Sequence, residues 1–319
     1  MILANIVQPI LGIVMTSDAV DTSGFAKGFT AVIAGAIAIG TAAIFMRLSD
    51  VSPTAAAFWR VTLALPLLFI WLMVDRQSRA QIKTRPKGPL LLSAALVGFW
   101  FAADLFLWHW SVEKTTVANA TLLANMATIF TALGGFLFFG QRFSRTFIGG
   151  MTLAVLGAIA LVGQNASINP DYLVGDLLGV ATAVAYAGYI IVAARIRGTL
   201  TTPMVMFGSA LTTAIFLLPL ALLEDGAFFP ASLSAWLPLL GLAWLAHILG
   251  QSLIIYGLAH VPAALGSVSL LTQPVVSALL AWWLFAEALG SGHLIGALLI
   301  FTGIMLARKG AGKGTKKPA

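Results

Sequence analysis

The second half of this chain repeats the first. Residues 136–163, FLFFGQRFSRTFIGGMTLAVLGAIALVG, recur in outline at 282–309, WWLFAEALGSGHLIGALLIFTGIMLARK. At a constant offset of 146, Phe139 falls on Phe285, Gln141 on Glu287, Gly150 on Gly296 and Gly157 on Gly303. Each copy carries five long apolar runs. Five is odd, so the two copies enter a bilayer upside down relative to each other. Inverted repeats of this kind build two mirror-related gates around one central site.

Lipid is the solvent for most of the chain. Of its 319 residues 60% are hydrophobic and 9% charged, too few charges for a soluble surface. The apolar runs lie at roughly 27–48, 52–74, 88–111, 115–139, 144–163, 173–196, 202–223, 233–258, 261–286 and 290–308. Runs of this length read as helices, because the bilayer offers the backbone no hydrogen-bond partners. The expected fold class is therefore an all-α membrane protein of ten transmembrane helices in two inverted five-helix repeats, 27–163 and 173–308. Residues 1–26 stand outside the repeat as a leader. Its apolar part, Ile2–Met15, is too short to span and is interrupted by Pro9, so an interfacial or disordered leader is expected. It lacks the basic start of a signal peptide. Residues 309–319 form a basic tail.

Charge sets the orientation. With both termini cytoplasmic, inside segments hold 15 of the 18 Lys and Arg, and outside segments carry Asp50, Glu113, Asp171, Glu224 and Asp225. This is the positive-inside pattern. It explains the net charge of +7 without nucleic acid as a partner. The chain has no cysteine, which excludes disulfides and thiolate metal sites. It has no HExxH, GxSxG or GxxxxGK motif either, so neither an enzyme nor an ATP-driven pump is expected. No cofactor or metal is expected.

The tail of each repeat resembles the EamA module of the drug/metabolite transporter superfamily. In the second copy Gln273-Pro274 lies in mid-span, Ala286-Glu287 ends that span, and Ile295-Gly296 and Gly303 follow. The first copy departs twice, with Thr128 at the proline position and Gln141 for the glutamate. The resemblance covers residues 27–308. It implies export of amino acids, metabolites or drugs across a bacterial inner membrane by a multi-pass monomer, with YddG-like amino-acid exporters as one branch. It does not specify the substrate.

Ionisable groups at membrane depth are functional candidates by default. Arg60 and Asp104 lie at matching depth in the second and third spans, which suggests an ion pair, read either as a pin between helices or as a gate that binds a zwitterion. Trp100, Asp104 and Trp108 share a helical face at i, i+4 and i+8; Trp100 is the deeper tryptophan and the better cavity candidate. His247 is central in the eighth span, with Gln251 one turn on and Trp244 on the same side. A histidine there can shuttle protons, so His247 and Asp104 are the candidates for proton coupling; a neutral, hydrogen-bonded histidine is the rival reading. The fourth and ninth spans carry polar stripes, Thr121, Asn125 and Thr128 in one and Ser269, Gln273 and Ser277 in the other. Tyr186 and Tyr189 are further cavity candidates, and Pro274 is a candidate hinge.

These residues suit a secondary transporter of small organic metabolites, amino acids foremost, working by alternating access. The alternatives are an exporter of drugs or organic cations and a channel-like facilitator. Multiply charged anions need more cavity cations than Arg60 alone. The expected partners are the small-molecule substrate, membrane lipid and protons.

Overall fold

The computed structural model describes residues 24–163, 169–286 and 288–311. Most of the leader, most of the tail and Glu287 lie outside the described residues. Among those described, ten helices are long and apolar enough to cross a membrane. They are α1 (Phe25–Arg47), α2 (Pro53–Val74), α3 (Lys87–Lys114), α4 (Asn119–Phe139), α5 (Arg145–Val162), α6 (Pro170–Arg197), α7 (Thr202–Leu223), α8 (Trp236–Gly257), α9 (Ala263–Phe285) and α10 (Ser291–Ala311). The edges fall within a few residues of those read from the apolar runs.

The inverted relation is visible where α5 crosses α10. A Cβ built on Gly150 would lie 2.6 Å from the Gly303 carbonyl oxygen, and one on Gly303 would lie 2.6 Å from that of Gly150. Gly157 and Gly296 face each other the same way, at 2.7 Å in both directions. In the sequence Gly150 is the mate of Gly296, and Gly157 the mate of Gly303. The contacts swap the mates, as a two-fold axis in the membrane plane requires of antiparallel helices. Backbones this close tolerate only glycine. Gly303→Val is therefore expected to lower the melting temperature in detergent, through an overpacking cost of about 1–3 kcal/mol. Gly149→Val, at an exposed position whose nearest contact is Leu306 at 4.0 Å, should leave it unchanged.

The small-residue face of α6 is a packing surface. Gly175 lies against the Lys114–Thr115 backbone and Gly179 against Leu123 and Ser111; Ser111 Oγ donates to the Gly175 carbonyl at 2.8 Å. On α1, Gly35 lies on Gly250 and Gly40 on Val276, and Ser277 Oγ donates to the Gly40 carbonyl at 2.7 Å.

Helices α4 and α9 break at equivalent depth. The two α4 segments, one ending at Asn125 and the other running Ala127–Phe139, meet at Met126 (φ −65°, ψ −9°). The α9 segments Ala263–Leu270 and Thr272–Phe285 meet at Leu271 (φ −62°, ψ −8°). Pro274 accounts for the second break, since it has no N–H for the Leu270 carbonyl. The first occurs with Thr128 in place of proline. The sequence departure at Thr128 is thus not a structural one.

Loops from the two repeats meet on each face. On the acidic face the α1–α2 turn meets the α7–α8 loop. Ser52 N donates to Ala227 O at 2.8 Å, Thr54 N to Glu224 Oε2 at 2.9 Å, and Ala231 N to Asp50 Oδ2 at 3.0 Å. Trp59 Nε1 donates to Phe228 O at 2.8 Å. Its ring lies 5.5 Å from Phe228, 5.6 Å from Phe229 and 4.9 Å from Trp236. On the basic face the corresponding turns meet with less cover. Ser78 Oγ and Thr201 Oγ1 lie 2.5 Å apart, and Arg197 donates to the Leu200 and Ile255 carbonyls. Beside them a cleft of about 260 Å³ opens between α4, α5, α6 and α9, lined by Thr131, Phe139, Arg142, Arg195 and Pro262 among others. The bundle is thus plugged by aromatics on the acidic face and open on the basic one.

Candidate functional site

Arg60 sits in the first half of α2, three residues before that helix is interrupted at Leu63–Ala64. Its guanidinium carbon lies 5.8 Å from the centroid of Phe101. Its Nε is buried and has no hydrogen-bond partner among the described residues. Asp104, one turn beyond Phe101 in α3, is half-buried and makes no hydrogen bond there. The expected contact ion pair is not formed. Among the described residues no salt bridge of 4.0 Å or less joins Arg60 to Asp104. Arg60 takes the aromatic face of Phe101 instead, so the two charges stay within electrostatic range of each other and of Tyr186 across a gap. Opposite charges held apart at this depth leave both under-solvated, and a ligand with both signs of charge relieves both.

Phe101 begins a column of rings. Its centroid is 5.7 Å from His247, nearly parallel at 23°, and 5.0 Å from Tyr189. Tyr189 stacks on Tyr186 at 6.0 Å and 4°. Gln251 Nε2 donates to the Tyr189 hydroxyl at 2.5 Å. His247 is 1% exposed, and neither ring nitrogen has a partner among the described residues.

The winding of α8 decides which of its side chains reach this column. Residues Leu242–Gln251 form a π-helix, whose i→i+5 bonding turns each residue through less than the 100° of an α-helix. His247 and Gln251, four apart, stay together and inside. Trp244, three residues before His247, swings outward and is 50% exposed. The expectation that it shares their side rested on α-helical spacing and is corrected by this geometry.

A small cavity of about 20 Å³, room for about one water, lies at the two helix breaks. Asn125, Thr128, Tyr186, Ser267, Leu270 and Gln273 are among its lining residues. Asn125 Nδ2 is buried there without a partner among the described residues, while the Gln273 side chain is hydrogen-bonded to Tyr186. Tyr186 joins this cavity to the ring column. The residues of the large cleft lie about one turn closer to the basic face on the same helices, Thr131 on α4 and Ala194 on α6.

Other candidates go elsewhere. Trp100 lies over Gly188 of α6, where a Cβ would sit 2.7 Å from its ring; the ring next to Arg60 is Phe101, one residue on. Ser269 Oγ bonds back to Leu265 O at 2.8 Å, and Ser277 joins α9 to α1. Thr128 Oγ1 donates to Ser267 O at 3.2 Å, tying α4 to α9 within the cavity wall. His109 is buried edge-on to Trp108 at 5.1 Å. Phe101 was not singled out in the sequence, because a phenylalanine in an apolar span carries no polar signal. Its place three residues before Asp104 was the one available clue.

Known proteins with this pattern are membrane carriers. An uncharacterised transporter of Archaeoglobus fulgidus is 26% identical over 82% of this chain and 91% of its own length. The pseudopaline exporter CntI of Pseudomonas aeruginosa is 26% identical over 74% of this chain and 80% of its own. A probable amino-acid metabolite efflux pump of Salmonella typhimurium is 32% identical over 70% of this chain and 78% of its own. A solved crystal structure shares the fold, with a TM-score of 0.77 and 20% identity over 91% of this chain and 99% of that one. The family model for EamA-like transporters matches twice, at residues 26–163 and 173–308. The chain is a multi-pass membrane transporter and not an enzyme, and it belongs to the EamA-like transporter family.

Proposed function

We propose that this protein exports amino acids or closely related zwitterions across a bacterial inner membrane by alternating access, with its basic face and both termini in the cytoplasm. The observation that carries this reading is the unbridged Arg60–Asp104 gap. Arg60, with His247 beside it, suits a carboxylate. Asp104, with the Tyr186 ring nearby, suits an ammonium. An organic cation fits less well, because Arg60 would repel it and Trp100 is occupied by Gly188. A channel fits less well, because the acidic face is plugged while the basic face is open. Two relatives whose names refer to amino-acid export lend the reading support.

Counterflow in proteoliposomes tests it. Vesicles preloaded with neutral amino acids are expected to accelerate uptake of a labelled amino acid. Stimulation by lipophilic cations alone would move the assignment to drug export, and no trans-stimulation by any solute would refute carrier exchange of amino acids.

Proton coupling through His247 and Asp104 belongs to the same proposal. With His247→Gln, accumulation driven by a pH gradient is expected to fall to the level set by the amino-acid gradient alone, while counterflow continues with a weaker half-saturation, since His247 also borders the carboxylate site. Unchanged pH-driven accumulation would remove His247 from the coupling path.

A further inference from the structure

We infer that the cleft on the basic face is the docking site of the chain's own leader, residues 1–23, held there through Asp18 and Asp21. The cleft is cationic and apolar. Arg142 and Arg195 line it, and no Asp or Glu is among its described lining residues. Arg142 is exposed. Arg195 holds its guanidinium carbon 3.8 Å from the centroid of Phe139, and Phe143 and Phe147 extend the aromatic wall. The leader has the matching composition. Residues 1–23 contain no Lys or Arg; their charged side chains are Asp18 and Asp21, preceded by the apolar run Ile2–Met15. A segment on the face that collects the basic residues is expected to be cationic, and this one is acidic.

The attachment point favours the same match. A Cβ built on Gly24, the first described residue, would lie 2.5 Å from His260 Nδ1. The neighbours of His260 in the α8–α9 turn, Ala259, Val261 and Pro262, line the cleft. The leader therefore joins α1 at the cleft's rim. Asp18 is six residues from Gly24, and an extended chain covers about 3.5 Å per residue, so both aspartates fall within about 20 Å of that point. A tether this short holds the acidic segment at an effective concentration in about the millimolar range. Weak ion pairs and apolar contacts then suffice for substantial occupancy. The tail is the other segment within reach, since Ala311 also lines the cleft. Its charged side chains, Lys313, Lys316 and Lys317, have the same sign as the cleft, which decides for the leader. Exposed ion pairs are weak and screened by salt, so the docked leader slows access to the cleft without sealing it.

The experiment uses the full chain with one reporter thiol. Ala194→Cys places it in the cleft wall, and an impermeant thiol reagent reads it in nanodiscs of phosphatidylcholine, where both faces are accessible. Asp18→Lys/Asp21→Lys is expected to raise the labelling rate about fivefold, and Arg142→Glu with the leader intact should do the same. Labelling unchanged by Asp18→Lys/Asp21→Lys would overturn the leader as occupant. Protection that appears only when phosphatidylglycerol is added, whatever the leader's charge, would assign the cleft to an anionic lipid headgroup. Protection lost in nanodiscs holding a single copy would assign it to the leader of a second copy. Either result overturns the proposal. Should Ala194→Cys fail to insert, Ala259→Cys, also in the cleft wall, gives the same readout with the same expected outcomes. The readout requires no transport, so its failure leaves the amino-acid reading untouched.

Discussion

Arg60→Met is expected to cut amino-acid counterflow at least about 10-fold while the protein still inserts and melts cooperatively. Hydrogen bonds to a charged group in a poorly solvated site carry about 1.5–3 kcal/mol each, and a substrate carboxylate would take at least one from Arg60. Arg60→Lys should recover little, because the flat guanidinium presents paired donors that a point ammonium cannot. Asp104→Asn is expected to lose transport to a similar degree. The informative variant is the double reversal, Arg60→Asp with Asp104→Arg. Were the two residues a structural pin, reversal would keep the attraction and restore stability and flux. Since they are separated, with Arg60 over Phe101, the double variant should be as inactive as either single one. Restoration of flux by the double reversal would refute the ligand-binding role and reinstate the pin.

Trp59→Ala is expected to unplug the acidic face. Trp59 contributes one hydrogen bond and three ring contacts to the seam between the α1–α2 turn and the α7–α8 loop. Each ring pair adds about 0.5–1.5 kcal/mol beyond its buried area, enough together to shift a two-state equilibrium by tenfold or more. The chain has no cysteine, so a single reporter thiol has no background. Ser267→Cys places one in the cavity wall. In the wild-type background an impermeant thiol reagent should label it from the basic face and leave it protected from the acidic face. With Trp59→Ala, labelling from the acidic face should rise at least about tenfold. Equal labelling from both faces before the change, or no increase after it, would contradict the assignment of this seam as the closed gate.

Much of this architecture is legible in the residues alone. Ten apolar runs fix ten helices, because lipid leaves the backbone no other way to satisfy its hydrogen bonds. The repeat of glycines at a constant offset fixes an inverted pair of five-helix units. Scarcity points to Arg60, Asp104 and His247, since so few polar groups occur at membrane depth. What is not legible is which way each side chain faces. In water, periodic hydropathy separates a core face from a solvent face. In lipid, both faces of a span are apolar, so Trp100 and Phe101 read alike although one covers Gly188 and the other meets Arg60.

The sequence by itself determined the span number, the inverted repeat and the short inventory of buried polar groups, because each follows from the solvent or from residue identity. Three things were left to the tertiary structure. Arg60 and Asp104 stand apart, because the guanidinium lies over a ring from the neighbouring helix. Trp244 faces outward while His247 and Gln251 face in, because α8 winds as a π-helix there. Ser277 and Thr128 are engaged in helix contacts, while Asn125 keeps an unpaired amide nitrogen in the cavity wall. Each outcome depends on what another helix places opposite a side chain, and that becomes definite only when the bundle packs.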